Sequence, residues 1–132
     1  MNRRTLREQV FKLLFRIEFN NQEEMQQQCS YFFEDSDNQI LEDDMDYIQY
    51  KFNMIMDHLS EIDRLINEKA KGWSTQRMGK VDLTIIRLAV YEILYDEDVP
   101  TNVAINEAVE LAKKFGQDES YGFVNGILAK FA

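Results

Sequence analysis

Cysteine and histidine are almost absent from this chain, which has one residue of each, Cys29 and His58. A lone cysteine excludes an internal disulfide framework and a zinc site built from cysteines. A lone histidine excludes a histidine-rich metal site. The same scarcity excludes a cysteine–histidine nucleophile pair with a spare base.

Proline and glycine are also scarce, with one proline and five glycines in 132 residues. Because these residues punctuate strands and turns, their scarcity favours helices throughout. No apolar run reaches the roughly 18 residues needed to cross a bilayer. Arg7, Glu8, Lys12 and Arg16 interrupt the first residues, which lack the apolar centre of a signal peptide. We therefore expect a soluble, cytoplasmic protein that does not enter a membrane.

Charge is abundant and unevenly placed: 24 acidic residues face 15 basic ones, for a net charge of −9. Residues 1–16 nevertheless hold five basic side chains and one acidic side chain, and residues 69–80 hold four basic side chains and no acidic one. Two basic islands in an acidic chain suggest a local anion-binding site. The alternative is a solvated helix face followed by a basic loop, and charge alone does not exclude it.

Hydrophobic periodicity predicts helices along the whole chain. They cover about 3–20, 22–33, 43–70 with a break near Ser60, 82–96, 102–115 and 119–131. The segment "EDSDNQ" indicates an acidic turn, and the helix at 82–96, the most apolar, is expected to be central. Asp82 and Asn102 are predicted helix caps, and Gly116 a left-handed closing residue. Six or seven helices and no strands predict an all-α, compact globular domain over residues 1–132.

Basic residues cluster at the start of the first helix and along one side of it. Arg3 and Arg7 lie one turn apart, and a second row runs from Arg4 to Arg16. Arginine at a helix N-terminus opposes the helix dipole, where Asp or Glu would be more stabilising. This unfavourable placement hints at a functional role in binding anions.

Catalysis has no recognisable arrangement in this sequence. It contains no G-x-x-x-x-G-K-[ST] or G-x-G-x-x-G phosphate motif, and a carboxylate-bound metal bundle would need Glu-x-x-His pairs. We expect no enzyme and no cofactor. Binding fits better, because the arginines suit RNA phosphates and Tyr121 or Phe123 could supply a ring for an unpaired base. The alternative for both rings is core packing.

Three segments are specific in combination: "VDLTIIRLAVYEIL", "VPTNVAINEAVELAKKFG" and "FVNGIL". Together they resemble the NusB family of bacterial transcription antitermination factors. The opening "RRTLREQVFKLLF" resembles the arginine-rich first helix of that family. The resemblance is strong over 80–128, good over 3–16, and limited to the helical pattern over 20–70.

The resemblance implies an all-α fold of two small helical bundles and no catalysis. Members of the family bind the boxA element of nascent RNA, best as a heterodimer with the small-subunit ribosomal protein NusE. That complex joins other Nus factors on RNA polymerase and suppresses premature termination in ribosomal RNA transcripts. Some members form homodimers that occlude the RNA surface, so the resemblance leaves open whether this chain is a monomer or a homodimer.

The resemblance also implies site residues. Arg3, Arg4 and Arg7 match the arginine positions that face RNA, and Phe123 matches an aromatic residue beside the RNA path. Asp82 matches an acidic position of the NusE contact, which suits a basic ribosomal partner. Two further residues complete the predicted site: Glu119 in a role like that of Asp82, and Lys80, an RNA contact suggested by the second basic island.

The chain departs from the family pattern in two respects. Thr5 and Leu6 thin the basic cluster before Arg7, and residues 17–68 are unusually acidic. Both features predict weak RNA affinity for the free protein and a strong need for the partner.

Two other interpretations compete with RNA-binding antitermination. The all-α N-terminal domain of ribosomal RNA cytosine methyltransferases resembles this family, but that interpretation needs a catalytic domain beyond Ala132. A helical adaptor that binds only proteins would use the long acidic segment. It predicts that replacing Arg4 and Arg7 with alanine leaves function intact.

Overall fold

The computed structural model describes residues 1–35 and 39–132, and every regular element in these ranges is helical. The all-α prediction is thereby confirmed. The chain divides into two compact units, residues 1–54 and 55–132, in line with the two small bundles that the resemblance implies. The predicted turn "EDSDNQ" includes residues 36–38, which lie outside the described residues.

Unit 1 holds α1 (Arg3–Phe15), a 3₁₀ turn (Arg16–Glu18), α2 (Gln22–Glu34) and most of α3 (Glu42–Asp57). The predicted first helix is thus too long, since its α-helical part ends at Phe15. The chain tightens there into the 3₁₀ turn, and the Asn20 side chain donates a hydrogen bond to the Arg16 carbonyl at 2.9 Å.

A reciprocal cap starts α2. The Asn21 Oδ1 accepts a hydrogen bond from the Glu24 N–H at 2.8 Å, and the Glu24 carboxylate accepts one from the Asn21 N–H at 3.0 Å. This arrangement satisfies two backbone donors that the helix start would otherwise leave open. Met25, Cys29 and Phe32 are buried on the inner face of α2.

Unit 2 holds α4 (Leu59–Lys69), α5 (Lys80–Tyr95), α6 (Thr101–Phe115) and α7 (Ser120–Ala129). Helix α5 packs against the other three, and its ten residues 83–92 are all buried. The prediction of a central apolar helix is therefore confirmed. No described helix combines the length and apolarity needed to cross a membrane.

The break between α3 and α4 lies at His58, two residues before the predicted position at Ser60. The His58 imidazole stacks on the Tyr95 ring of α5, with centroids 3.9 Å apart and planes 14° apart. This ring contact between elements that are distant in sequence accompanies the break and has no counterpart in the local pattern.

The predicted caps Asp82 and Asn102 are wrong, because each helix begins earlier. Helices α5 and α6 start after Gly79 and Pro100, and neither of these makes a side-chain capping hydrogen bond. Asp82 lies in the first turn of α5, where its carboxylate still suits the positive end of the helix dipole.

Candidate nucleic-acid interface

The N-terminal end of α1 carries two exposed arginines, Arg3 and Arg4. Asn2 caps this helix, since its Oδ1 accepts a hydrogen bond from the Thr5 N–H at 2.8 Å. The first turn holds no acidic residue, so the positive helix end and the two guanidinium groups reinforce each other. This end of unit 1 can therefore attract phosphate oxygens.

Arg7 differs from these two arginines. The residue is only 7% exposed, and it interacts with other groups of the protein. The structure thus groups Arg3 with Arg4 on the surface and places Arg7 in the interior.

The basic residues farther along the chain, Lys12 and Arg16, make contacts within unit 1. Lys12 pairs with Glu8 at 3.4 Å. Arg16 donates to the backbone oxygen and the side-chain oxygen of Gln28, both at 3.2 Å, and its guanidinium lies over the Phe32 ring at 5.2 Å. Arg16 thus joins the end of α1 to α2.

Unit 2 contains a cleft of about 500 Å³ that gathers four of the predicted site residues. Its walls come from the segment before α5, the first turn of α5, the connection between α6 and α7, and the start of α7. The four predicted residues on these walls are Lys80, Asp82, Glu119 and Phe123. The predicted arginines belong to unit 1.

The connection between α6 and α7 depends on Gly116. A Cβ atom there would lie 2.6 Å from the Ser120 Cβ and 2.7 Å from the Ala112 carbonyl oxygen. The Gln117 N–H also donates to the Ser120 hydroxyl at 2.9 Å. Gly116 has a φ of −91°, so the predicted left-handed conformation is wrong, and glycine is needed for space. This tight turn sets the position of Phe123 on α7.

The segment between α4 and α5 also lines the cleft and has its own internal hydrogen bonds. The Asn67 Oδ1 accepts from the Thr75 N–H at 2.7 Å, and the Trp73 N–H donates to the Ala70 carbonyl at 2.8 Å. Gly72 turns the chain with a φ of +84°, which glycine adopts readily. The buried Met78 anchors the end of the segment before α5.

Trp73 is the cleft residue that sequence reasoning missed. As a residue it is 45% exposed, and its indole packs edge-to-face on Phe123, with ring centroids 5.1 Å apart and planes at 69°. The Arg77 guanidinium lies over the indole at 5.3 Å and donates to the Gly72 carbonyl at 3.1 Å. A tryptophan inside the basic connector "KAKGWSTQRMGK" was the available signal.

The positive and negative side chains that line the cleft are equal in number. Arg77 and Lys80 supply two cations, and Asp82 and Glu119 supply two carboxylates. A channel for a polyanionic backbone would instead be lined mainly by cations. Among the described residues, no group of three or more His, Cys, Asp or Glu side chains could hold a metal ion.

A family model described as the NusB family matches residues 4–132 of the chain. The chain belongs to the NusB family. The resemblance carried by the sequence motifs is thereby confirmed.

Proteins named NusB match this chain over all or nearly all of its length. The transcription antitermination protein NusB of Agathobacter rectalis is 54% identical, with all of both chains covered. The solved NusB of T. maritima has a TM-score of 0.88 at 37% identity, and the match covers 100% of this chain and 91% of that one. A NusB solved with NusE and double-stranded RNA has a TM-score of 0.78 at 24% identity, covering 98% and 94%, and shows the shared fold.

Proposed function

We propose that this NusB-family protein binds the boxA element of nascent ribosomal RNA together with ribosomal protein NusE. In this role it suppresses premature termination by RNA polymerase, which it reaches through other Nus factors. The observation that carries the RNA contact is the exposed pair Arg3 and Arg4 at the positive end of α1. The relatives named as transcription antitermination proteins support the process, and the NusB solved with NusE and double-stranded RNA indicates which partners to test first.

The proposed contacts divide by charge. Arg3 and Arg4 contact phosphates, and Lys80 adds a third cation from the exposed start of α5. Asp82 and Glu119 face NusE, because carboxylates complement a basic ribosomal protein. The burial of Arg7 supports a role in holding the start of α1 rather than a direct phosphate contact.

Phe123 is proposed as part of the RNA surface, and residues 1–132 as one RNA-binding domain. Because transcription is the proposed process, the proposed location is the cytoplasm. A homodimer would compete with RNA if it covered the arginine pair, so the RNA-bound form is proposed to be the NusE heterodimer.

The test is fluorescence anisotropy of labelled boxA RNA against a scrambled RNA, with the protein alone and with NusE at two salt concentrations. The double variant R3A/R4A should bind boxA more weakly than the wild type with an unchanged thermal melt. Each lost phosphate contact should also flatten the slope of log K against log salt by about 0.7.

The matched control is K113A/K130A, which removes two exposed cations from unit 2 without touching α1 or the cleft. It changes the net charge equally and should leave boxA binding near the wild-type value. Equal affinity of R3A/R4A and the wild type would refute the arginine contact. Equal binding of boxA and scrambled RNA, with and without NusE, would favour the protein-only adaptor.

A further inference from the structure

We propose that the cleft of unit 2 binds one unpaired nucleotide of the RNA, whose base stacks on Trp73. This inference rests on the proposed RNA-binding function and names a residue and a ligand class within it. It also changes the role of Phe123 from a stacking ring to the support of one.

Trp73 has both the exposure and the fixed position that a stacking platform needs. Nearly half of its surface is accessible, although burying an indole is strongly favourable. Although Trp73 is exposed, its backbone is held in place, because the Trp73 and Thr75 amides donate hydrogen bonds on either side of the ring. A pre-positioned ring loses little conformational entropy when a base stacks on it.

Phe123 lies behind this platform. It is half-buried, and its ring meets the indole edge-to-face at 5.1 Å. This is one of the preferred geometries for two aromatic rings, so it stabilises the orientation of the indole. Trp73, which is more exposed than Phe123, is the better surface for a base.

The charges of the cleft suit one nucleotide rather than a length of backbone. Arg77 and Lys80 can neutralise one phosphate group, and a guanidinium lying over an indole can also stack on a base. A volume of about 500 Å³ is in the range of small-molecule sites.

The sequence supplies a specific probe, since Trp73 is the single tryptophan of the chain. Intrinsic tryptophan fluorescence of the full-length protein, titrated with unlabelled boxA RNA, therefore reports on this site alone. We expect saturable quenching at the RNA concentrations at which anisotropy reports binding.

The variant W73L should weaken boxA binding by roughly ten-fold, within the range that one base–aromatic stack supplies. W73F keeps a ring and should retain part of the affinity. The matched control is Y121L: Tyr121 is 49% exposed and has Lys113 over its ring at 5.7 Å, but it does not line the cleft. Y121L should bind as the wild type does.

A series of boxA RNAs with one abasic site each separates stacking from a general effect on structure. In the wild type, one abasic position should cost about as much affinity as W73L does. In W73L, the same abasic position should cost nothing further. If W73L fails to fold, the fluorescence titration and the abasic series with W73F decide the question.

Three results would overturn the inference. In the first, the wild type binds RNA without quenching and W73L binds with normal affinity. This result refutes the Trp73 stacking site and leaves the proposed function intact. Loss of NusE binding in W73L with RNA affinity unchanged makes the cleft a protein site. Folded wild-type protein that binds no boxA RNA, alone or with NusE, removes the proposed function as well.

Discussion

Gly116 shows how one missing methyl group can control a turn. An alanine there would collide with the Ser120 side chain and with the Ala112 carbonyl oxygen. The carbonyl is backbone and Ser120 is buried, so neither can move away easily. The substitution G116A should lower the free energy of unfolding by about 1–3 kcal/mol, as other overpacking changes do. Urea denaturation followed by circular dichroism measures this change.

Gly126 is the matched control for Gly116. It lies inside α7, and a Cβ atom built there meets nothing within 4 Å. Because glycine is a poor helix former, G126A should be neutral or stabilising by up to about 1 kcal/mol. A loss of stability in G126A that matched the loss in G116A would contradict the steric explanation.

Cys29 is 8% exposed in unit 1, and burial raises the pKa of its thiol. The Gln49 amide lies 3.8 Å from the sulfur and opposes this shift without cancelling it. Because the thiolate is the reactive form, less of it is present at neutral pH than for an exposed thiol. Alkylation by iodoacetamide at pH 7.5 should be slow in the native protein and fast in urea. Equal rates in the two conditions would refute the prediction.

At the scale of elements, α5 is joined to α4 by a two-pronged ion pair. Arg87 donates to both carboxylate oxygens of Asp63, at 2.9 and 2.8 Å, and its side chain is largely buried. Lysine cannot reproduce this planar geometry. R87K should therefore reduce the free energy of unfolding by about 1.5–3 kcal/mol, the value of a hydrogen bond to a charged group.

Arg64 on α4 provides the control for this pair. It contacts Glu61 and Glu68 at 2.6 and 3.0 Å, but all three side chains are exposed. Surface ion pairs contribute little because water and salt screen them. R64K should melt within error of the wild type, and an equal loss in R64K and R87K would show that burial is not the deciding factor.

At the scale of the whole molecule, a net charge of −9 limits binding to RNA. The proposed cationic contacts are few, because only Arg3, Arg4 and Lys80 are exposed among the predicted basic site residues. Two to four phosphate contacts to a single strand correspond to a slope of log K against log salt of about −1.4 to −2.8.

This slope is measured by repeating the boxA titration of the free protein at four salt concentrations. NusE should raise the affinity at every salt concentration by adding contacts that this chain lacks. A steep slope for the free protein, with tight binding at high salt, would contradict the prediction that the acidic chain needs its partner.

The helices and the family could be predicted from the amino-acid sequence alone. Apolar residues at helical spacing require a buried face whatever that face packs against, so the pattern predicts α5 and its central position from local information. The motifs of the C-terminal half identified the NusB family because each motif is a contiguous stretch of sequence. Errors occurred where helices begin and end, as at His58 and Asp82, because neighbouring elements decide those positions.

The accessibility of the candidate residues, and which of them share a site, could be learned only from the folded structure. Arg3, Arg4 and Arg7 look equivalent in the sequence, yet Arg7 alone is buried. Trp73 and Phe123 are fifty positions apart, and packing brings their rings together. Exposure and proximity depend on residues distant in the chain, and no local pattern encodes them.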